Sequence, residues 1–106
     1  QPSAVGVFGL GFYEQNRDKL RVATVNNVTP SEQTILNGSY PVSRPLFFYV
    51  KGEHIKSVRG LSEYTEFFLN KKISGKGSKL KKAGLISLSD AERAKVLAAF
   101  KAGKSL

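Results

Sequence analysis

The stretch Tyr40-Pro41-Val42-Ser43-Arg44-Pro45-Leu46-Phe47-Phe48-Tyr49-Val50 constrains what this chain can fold into more than any other. Each proline removes an amide donor, fixes φ and steers the residue before it, Tyr40 or Arg44, away from the helical region. The backbone must therefore approach the apolar run from Leu46 to Val50 stiff and extended. That run is aromatic-rich, is too short for a helix and reads as a strand buried on both faces. Such a strand cannot stand alone, because it requires neighbours along its edges and cover above and below.

The rest of the chain supplies candidates for both. Ala4-Val5-Gly6-Val7-Phe8 reads as a second buried strand, and Leu20 to Val25 as a third. Between them, Leu10 to Lys19 suits a short helix with one apolar end. Strand, helix and strand with short connections predict an α/β unit rather than a sandwich of hairpins. Thr29-Pro30-Ser31-Glu32 predicts a helix start, with Thr29 as the capping hydroxyl, Pro30 at the first helical position and Glu32 reaching back to the cap amide. Asn37-Gly38 ends that helix about two turns later. From Val58 to Lys72, the residues Val58, Leu61, Phe68 and Leu69 share one face, with Tyr64 and Thr65 between them, which predicts an amphipathic helix packed on the sheet. Ile73 to Gly84 reads as a glycine-punctuated surface connection. Ser89-Asp90-Ala91-Glu92 is a second capping box, and the helix carrying Ala94, Val96, Leu97 and Phe100 closes at Gly103.

At 106 residues the chain holds one small domain at most, and 41% hydrophobic residues set it apart from disordered tails. No apolar run approaches the roughly 20 residues that cross a bilayer, and the first residues lack the plan of a signal peptide. Because there is no Met, Gln1 is not expected to be the natural start. The absence of Cys excludes disulfides, thiolate nucleophiles and Cys-based zinc sites, and leaves the redox compartment open.

The chemistry-bearing inventory is thin: one His and eight scattered acids. His54 stands alone in what reads as a turn, a poor start for a metal site. Glu63 and Glu66 lie on the polar face of the amphipathic helix and suit solvation better than acid–base work. Gly6, Gly9 and Gly11 follow a strand but lack the spacing of a dinucleotide or phosphate loop, and close helix packing explains them. Lys71, Lys72, Lys76, Lys79, Lys81 and Lys82 form the densest part of a net charge of +9. Without interleaved arginines or aromatics, they read as a solvated face before a nucleic-acid surface. Ser43-Arg44, held between prolines, offers a hydroxyl and a planar fork of donors. It serves equally as an anion contact or as a brace for the strand that follows.

The order of these segments resembles the C-terminal part of the periplasmic phosphate-binding proteins that serve ABC-type phosphate importers. AVGVFGLGFYEQNRDKL looks like that family's strand and helix after the ligand-binding segment. TPSEQTILNGSYPVSRPLFFYV looks like its short helix and the strand returning through the hinge, and GLISLSDAERAKVLAAF like its closing turn and final helix. The resemblance implies an α/β fragment of a type II, two-lobed clamp, a binding protein and not an enzyme. Residues up to about 39 would belong to the second lobe, 40–46 to the hinge and 47–106 to the first lobe. It implies inorganic phosphate as the ligand of the intact protein, an ABC permease in the membrane as its partner, a periplasmic or cell-surface secreted location, and no cofactor or metal. The family's phosphate ligands precede this stretch, so Ser43 and Arg44 carry over only as hinge or cleft-adjacent residues. The net charge is unusual for such a piece and the first lobe's opening strands are absent. Unpaired edges would then call for the missing N-terminal half or a homo-oligomer mate. The resemblance gives no reason to expect nucleic acid. The alternative is a small basic module that binds nucleic acid or another polyanion through the Lys71 to Lys82 cluster.

Overall fold

Side-chain caps mark the starts of three helices among the described residues. The computed structural model describes residues 1–105. Their helices are α1 (Leu10–Gln15), α2 (Glu32–Leu36), α3 (Leu61–Phe68), α4 (Lys71–Ser74), α5 (Lys79–Lys82) and α6 (Asp90–Lys101), with one 3₁₀ turn at Gly52–His54. At α6 the predicted capping box forms in full: the Ser89 hydroxyl accepts from the Glu92 amide, and the Glu92 carboxylate accepts from the Ser89 amide. Gly103, at φ +69°, follows its end.

The cap of α2 is Ser31, two residues later than the sequence predicts, and its reciprocal partner is Thr34 rather than Glu32. Ser31 has the extended backbone a cap needs, and the Thr34 hydroxyl donates back to the Thr29 carbonyl at 2.8 Å, so Thr29 contributes its main chain instead of its side chain. Asn37 and Gly38, the latter at φ +74°, end the helix where expected.

The long helix expected over 58–72 is broken. Val58 lies in a turn, Gly60 at φ +81° precedes α3, and Asn70 starts a new single turn by accepting from the Lys72 amide. Residues 73–84, read as a connection, hold α4 and α5, which pack on each other. Gly75 at their junction is buried, and a Cβ there would overlap the Lys71 carbonyl and lie 2.8 Å from Lys71 Cγ.

The expected α/β layering does not form among the described residues. Leu20 to Val25 makes a single antiparallel bridge, Val25 with Val28, across a two-residue turn in which Asn26 and Asn27 have φ of +50° and +61°. These are the positive angles of a type I′ hairpin, which Asn tolerates. Ala4 to Phe8 and Leu46 to Val50 run without ladder partners. Neither is buried on both faces as expected: Val5 and Val7 are 96% exposed and Leu46 78%. The reason is physical, since a strand's amides and carbonyls need a neighbour and none of the described segments lies alongside. Aromatic contacts give partial cover: Phe8 stacks on Phe12 of α1 at 5.1 Å, and Phe48 meets Phe68 of α3 edge to face at 4.7 Å.

What core exists sits around α3, where Thr65 and Leu69 are the buried positions at 2% and 8% exposure. The Thr65 hydroxyl donates to the Leu61 carbonyl at 2.8 Å and so carries no unmet polar group inward. The radius of gyration is 17.1 Å with extents of 55 × 22 × 22 Å, against roughly 13 Å for a compact chain of this length. The accessible surface is 8833 Å². A compact monomer of this size exposes about 5,800 Å². About 3,000 Å² therefore remains open that a closed domain would cover.

Segments far apart in sequence meet where α1 crosses the loop after α5. A Cβ on Gly11 would overlap Gly84 Cα and stand 2.7 Å from the Gly84 carbonyl oxygen, so backbone lies on backbone. Gly84 itself sits at φ +91°. Gly11→Ala is expected to destabilise the chain by roughly 1–3 kcal/mol through overpacking, read from its denaturation midpoint, whereas Gly9→Ala, with open space around it, leaves the midpoint nearly unchanged. Equal midpoints for the two variants would remove this joint from the account.

Candidate functional site

Two places were singled out for anion chemistry, and the structure treats them differently. At the proline-bracketed turn, the Ser43 hydroxyl donates to the Tyr40 carbonyl at 2.8 Å, in parallel with the Ser43 amide at 3.2 Å. Ser43 thus closes the turn that launches the extended run. Arg44 is exposed and forms no ion pair among the described residues. The pair is presented at the surface, with the hydroxyl occupied and the guanidinium open.

The lysine-rich segment is a built platform. Four tethers hold the α4–α5 hairpin to the rest of the chain. Lys71 pairs with Asp90 at the start of α6 at 3.4 Å, and the Ser87 hydroxyl donates to the Gly75 carbonyl at 2.9 Å. Lys81 and Glu32 of α2 form a half-buried ion pair between residues 49 positions apart, and Gly84 carries α1. Leu10, Gly11, Glu14 and Glu32 face Lys81 and Gly84 to Ile86 across a small cleft at this joint. The site is too narrow and too internally paired for a ligand, and its role is to fasten the platform.

That leaves Lys72, Lys76, Lys79 and Lys82 exposed and without ion pairs among the described residues. No acidic residue occurs from Leu69 to Ser89 to balance them. Asp90 is shared by Arg93, at 2.7 Å, and Lys71. The Arg93 hydrogen bond first, and the Lys71 charge next, hold its carboxyl below the usual carboxylate range. Glu92 is likewise lowered, by the bonds it accepts from the Ser89 hydroxyl and amide.

The other candidates stay apart. His54 is exposed at the end of the 3₁₀ turn, and the described residues contain no group of three or more His, Cys, Asp or Glu able to hold a metal ion. Glu66 pairs with Lys101 of α6 at 3.5 Å, so it ties two helices, while Glu63 faces solvent. Gly11 serves close packing, as the sequence suggested, but against a loop instead of a strand. The Glu32–Lys81 pair was not anticipated, and no local pattern marks it. Asn26-Asn27 was also passed over, although a dipeptide that accepts positive φ is a readable hairpin signal.

Comparison with known proteins adds what geometry cannot. The family described as PBP superfamily domain matches residues 2–72. The chain is 43% identical over 70 residues to the phosphate-binding protein PstS of Staphylococcus epidermidis, covering 61% of this chain and 22% of that protein. It is 36% identical over 89 residues to the PstS of Staphylococcus saprophyticus, covering 79% of this chain and 27% of the relative. With the PstS of Staphylococcus haemolyticus, the identity is 38% over 88 residues. The chain thus spans about a quarter of the length of these relatives. No solved structure matches it.

The platform's charge pattern has a pH signature. Carboxyls whose folded pKa is lowered contribute stability that is present above the ordinary carboxylate range and is lost as pH falls through the lowered folded values. Acidification is therefore expected to loosen the first turn of α6 and release Lys71, seen as movement of the Asp90 to Arg93 amide resonances. In Asp90→Asn/Glu92→Gln, that movement should be absent. Resonances that stay put in the parent chain across the titration would rule out the electrostatic link.

Proposed function

Because the chain belongs to the PBP superfamily, we propose that it is the C-terminal portion of a solute-binding protein that captures inorganic phosphate outside the cytoplasmic membrane, in the periplasm or at the cell surface, for uptake through an ABC permease. The observation that carries this reading is the identity to proteins named phosphate-binding protein PstS, sustained over 70 to 89 residues and including the proline-bracketed segment. The role is binding and delivery, without chemistry on the ligand.

In this reading the whole protein is a two-lobed α/β clamp of the type II kind. Residues 1–39 belong to its second lobe, 40–46 cross the hinge and 47–106 return to the first lobe. The open apolar runs at 4–8 and 46–50, together with about 3,000 Å² of excess surface, support it, because both are what a domain core divided between two pieces of chain leaves behind. Strands from the N-terminal half would pair with these runs, and a second copy is the substitute when that half is missing. Extended backbone with high β propensity is kept ready for such partners.

Phosphate binding then acts by differential affinity, the closed clamp being favoured because only it contacts the anion from both lobes. Most ligands lie upstream of Gln1. Ser43 and Arg44 stand at the hinge or beside the cleft, with Ser43 stiffening the turn through Tyr40 and Arg44 lending its open guanidinium to the anion's field.

Calorimetry tests both levels. The intact parent is expected to bind phosphate and the 106-residue chain alone to bind none. In the parent, Arg44→Gln should weaken phosphate severalfold, with Arg44→Lys between the two. A parent that ignores phosphate would overturn the assignment, and an Arg44→Gln parent with unchanged affinity would remove Arg44 from the cleft.

A further inference from the structure

The α4–α5 platform concentrates positive charge in a way that phosphate capture does not use. Its hairpin is tied down at Lys71, Gly75, Lys81 and Gly84. Lys72, Lys76, Lys79 and Lys82, exposed and without ion pairs among the described residues, are therefore carried on a tethered base, with Lys76 at the edge of an open cleft that Glu32 and Glu92 also line. The composition is selective. From Asn70 to Leu88 there are six lysines, no arginine and no aromatic. Without guanidinium forks there is no bidentate grip on a fixed phosphate, and without rings there is no surface on which bases can stack. Lysines are compact, strongly hydrated point charges, suited to a field of mobile anions. Immediately after the hairpin, Leu85 and Leu88 are exposed. Cations beside exposed leucines match an interface with charge at the surface and hydrocarbon beneath.

We propose that this platform docks the protein on an anionic lipid bilayer, the four free lysines lying over headgroup phosphates and Leu85 and Leu88 meeting the boundary of the acyl layer. The inference goes beyond the phosphate-capture reading and does not depend on it. Clusters of four or more Lys near a membrane gain about fivefold in partition for each cation, which for four amounts to several hundredfold. The contribution of such a surface falls steeply as salt shortens the reach of the charges.

Co-sedimentation of the full chain with vesicles checks this, comparing phosphatidylcholine alone with phosphatidylcholine containing a third phosphatidylglycerol, at low and high salt. Binding is expected only to the anionic vesicles, and to collapse at high salt. The variant Lys72→Gln/Lys76→Gln/Lys79→Gln/Lys82→Gln should lose binding by on the order of a hundredfold or more, while the corresponding four Lys→Arg changes retain it. Far-UV circular dichroism, unchanged between the two variants, shows that the loss is one of charge and not of folding.

Equal binding to neutral vesicles would overturn the proposal, by assigning adhesion to the open apolar runs at 4–8 and 46–50. Undiminished binding by the glutamine variant would do the same. An RNA or single-stranded DNA oligonucleotide that binds at the same salt more tightly than the vesicles would replace the bilayer by nucleic acid.

Discussion

The joint at which Gly11 lies against Gly84, with Lys81 paired to Glu32 beside it, carries the tertiary structure of this chain. Local capping alone would leave α1, α2 and the lysine hairpin as separate short turns, and helices of four to six residues are far below the length at which isolated helices persist. The contact brings together segments more than 70 residues apart. It works because two glycines let main chains touch where any side chain would intervene. The neighbouring ion pair is half-buried, so it is less screened than the exposed pairs elsewhere on the surface, and losing one partner would leave a partly desolvated charge.

A second constraint explains why the molecule is long and open. Hydrophobic burial drives folding in proportion to the apolar area removed from water, yet the two apolar runs at 4–8 and 46–50 have no ladder partner among the described residues. They therefore stay largely exposed, with Phe48 on Phe68 joining the 46–50 run to α3. Around α3 the interior is small enough that Thr65, its hydroxyl satisfied within the helix, is its most buried member. The chain spans about a quarter of the length of the relatives it matches, and these runs stay without ladder partners among the described residues.

Electrostatics follows the same division. Five of the eight acids are engaged in ion pairs, and three of those, Glu32, Glu66 and Asp90, join different helices. The remaining positive charge concentrates on the lysine platform, which combines four tethers with the densest charge. Ser43 and Arg44 show the contrast: the turn chemistry that holds Ser43 is local and complete, whereas Arg44 is exposed and makes no ion pair among the described residues.

Features whose causes span three or four residues were legible from the sequence. The Ser89–Glu92 box and the Asn37-Gly38 stop follow from side-chain hydroxyls and positive φ, which act within one turn of backbone. The entry expected to be extended from Tyr40 instead closes into a turn over 40–43, because the Ser43 amide and hydroxyl both donate to the Tyr40 carbonyl. The start of α2 slipped by two residues because Thr29, Ser31 and Thr34 offer competing hydroxyls and only packing chooses among them. The apolar, β-branched and aromatic make-up of 4–8 and 46–50 was legible too, while the family resemblance rested on the order of the segments. Whether those runs become strands was decided by tertiary structure, since a ladder is a property of two segments and pairing energy exists only when the partner is present. The same holds for the platform. Composition marks its charge, but which lysines stay free depends on Glu32 and Asp90, brought to Lys81 and Lys71 by the folded path of the chain.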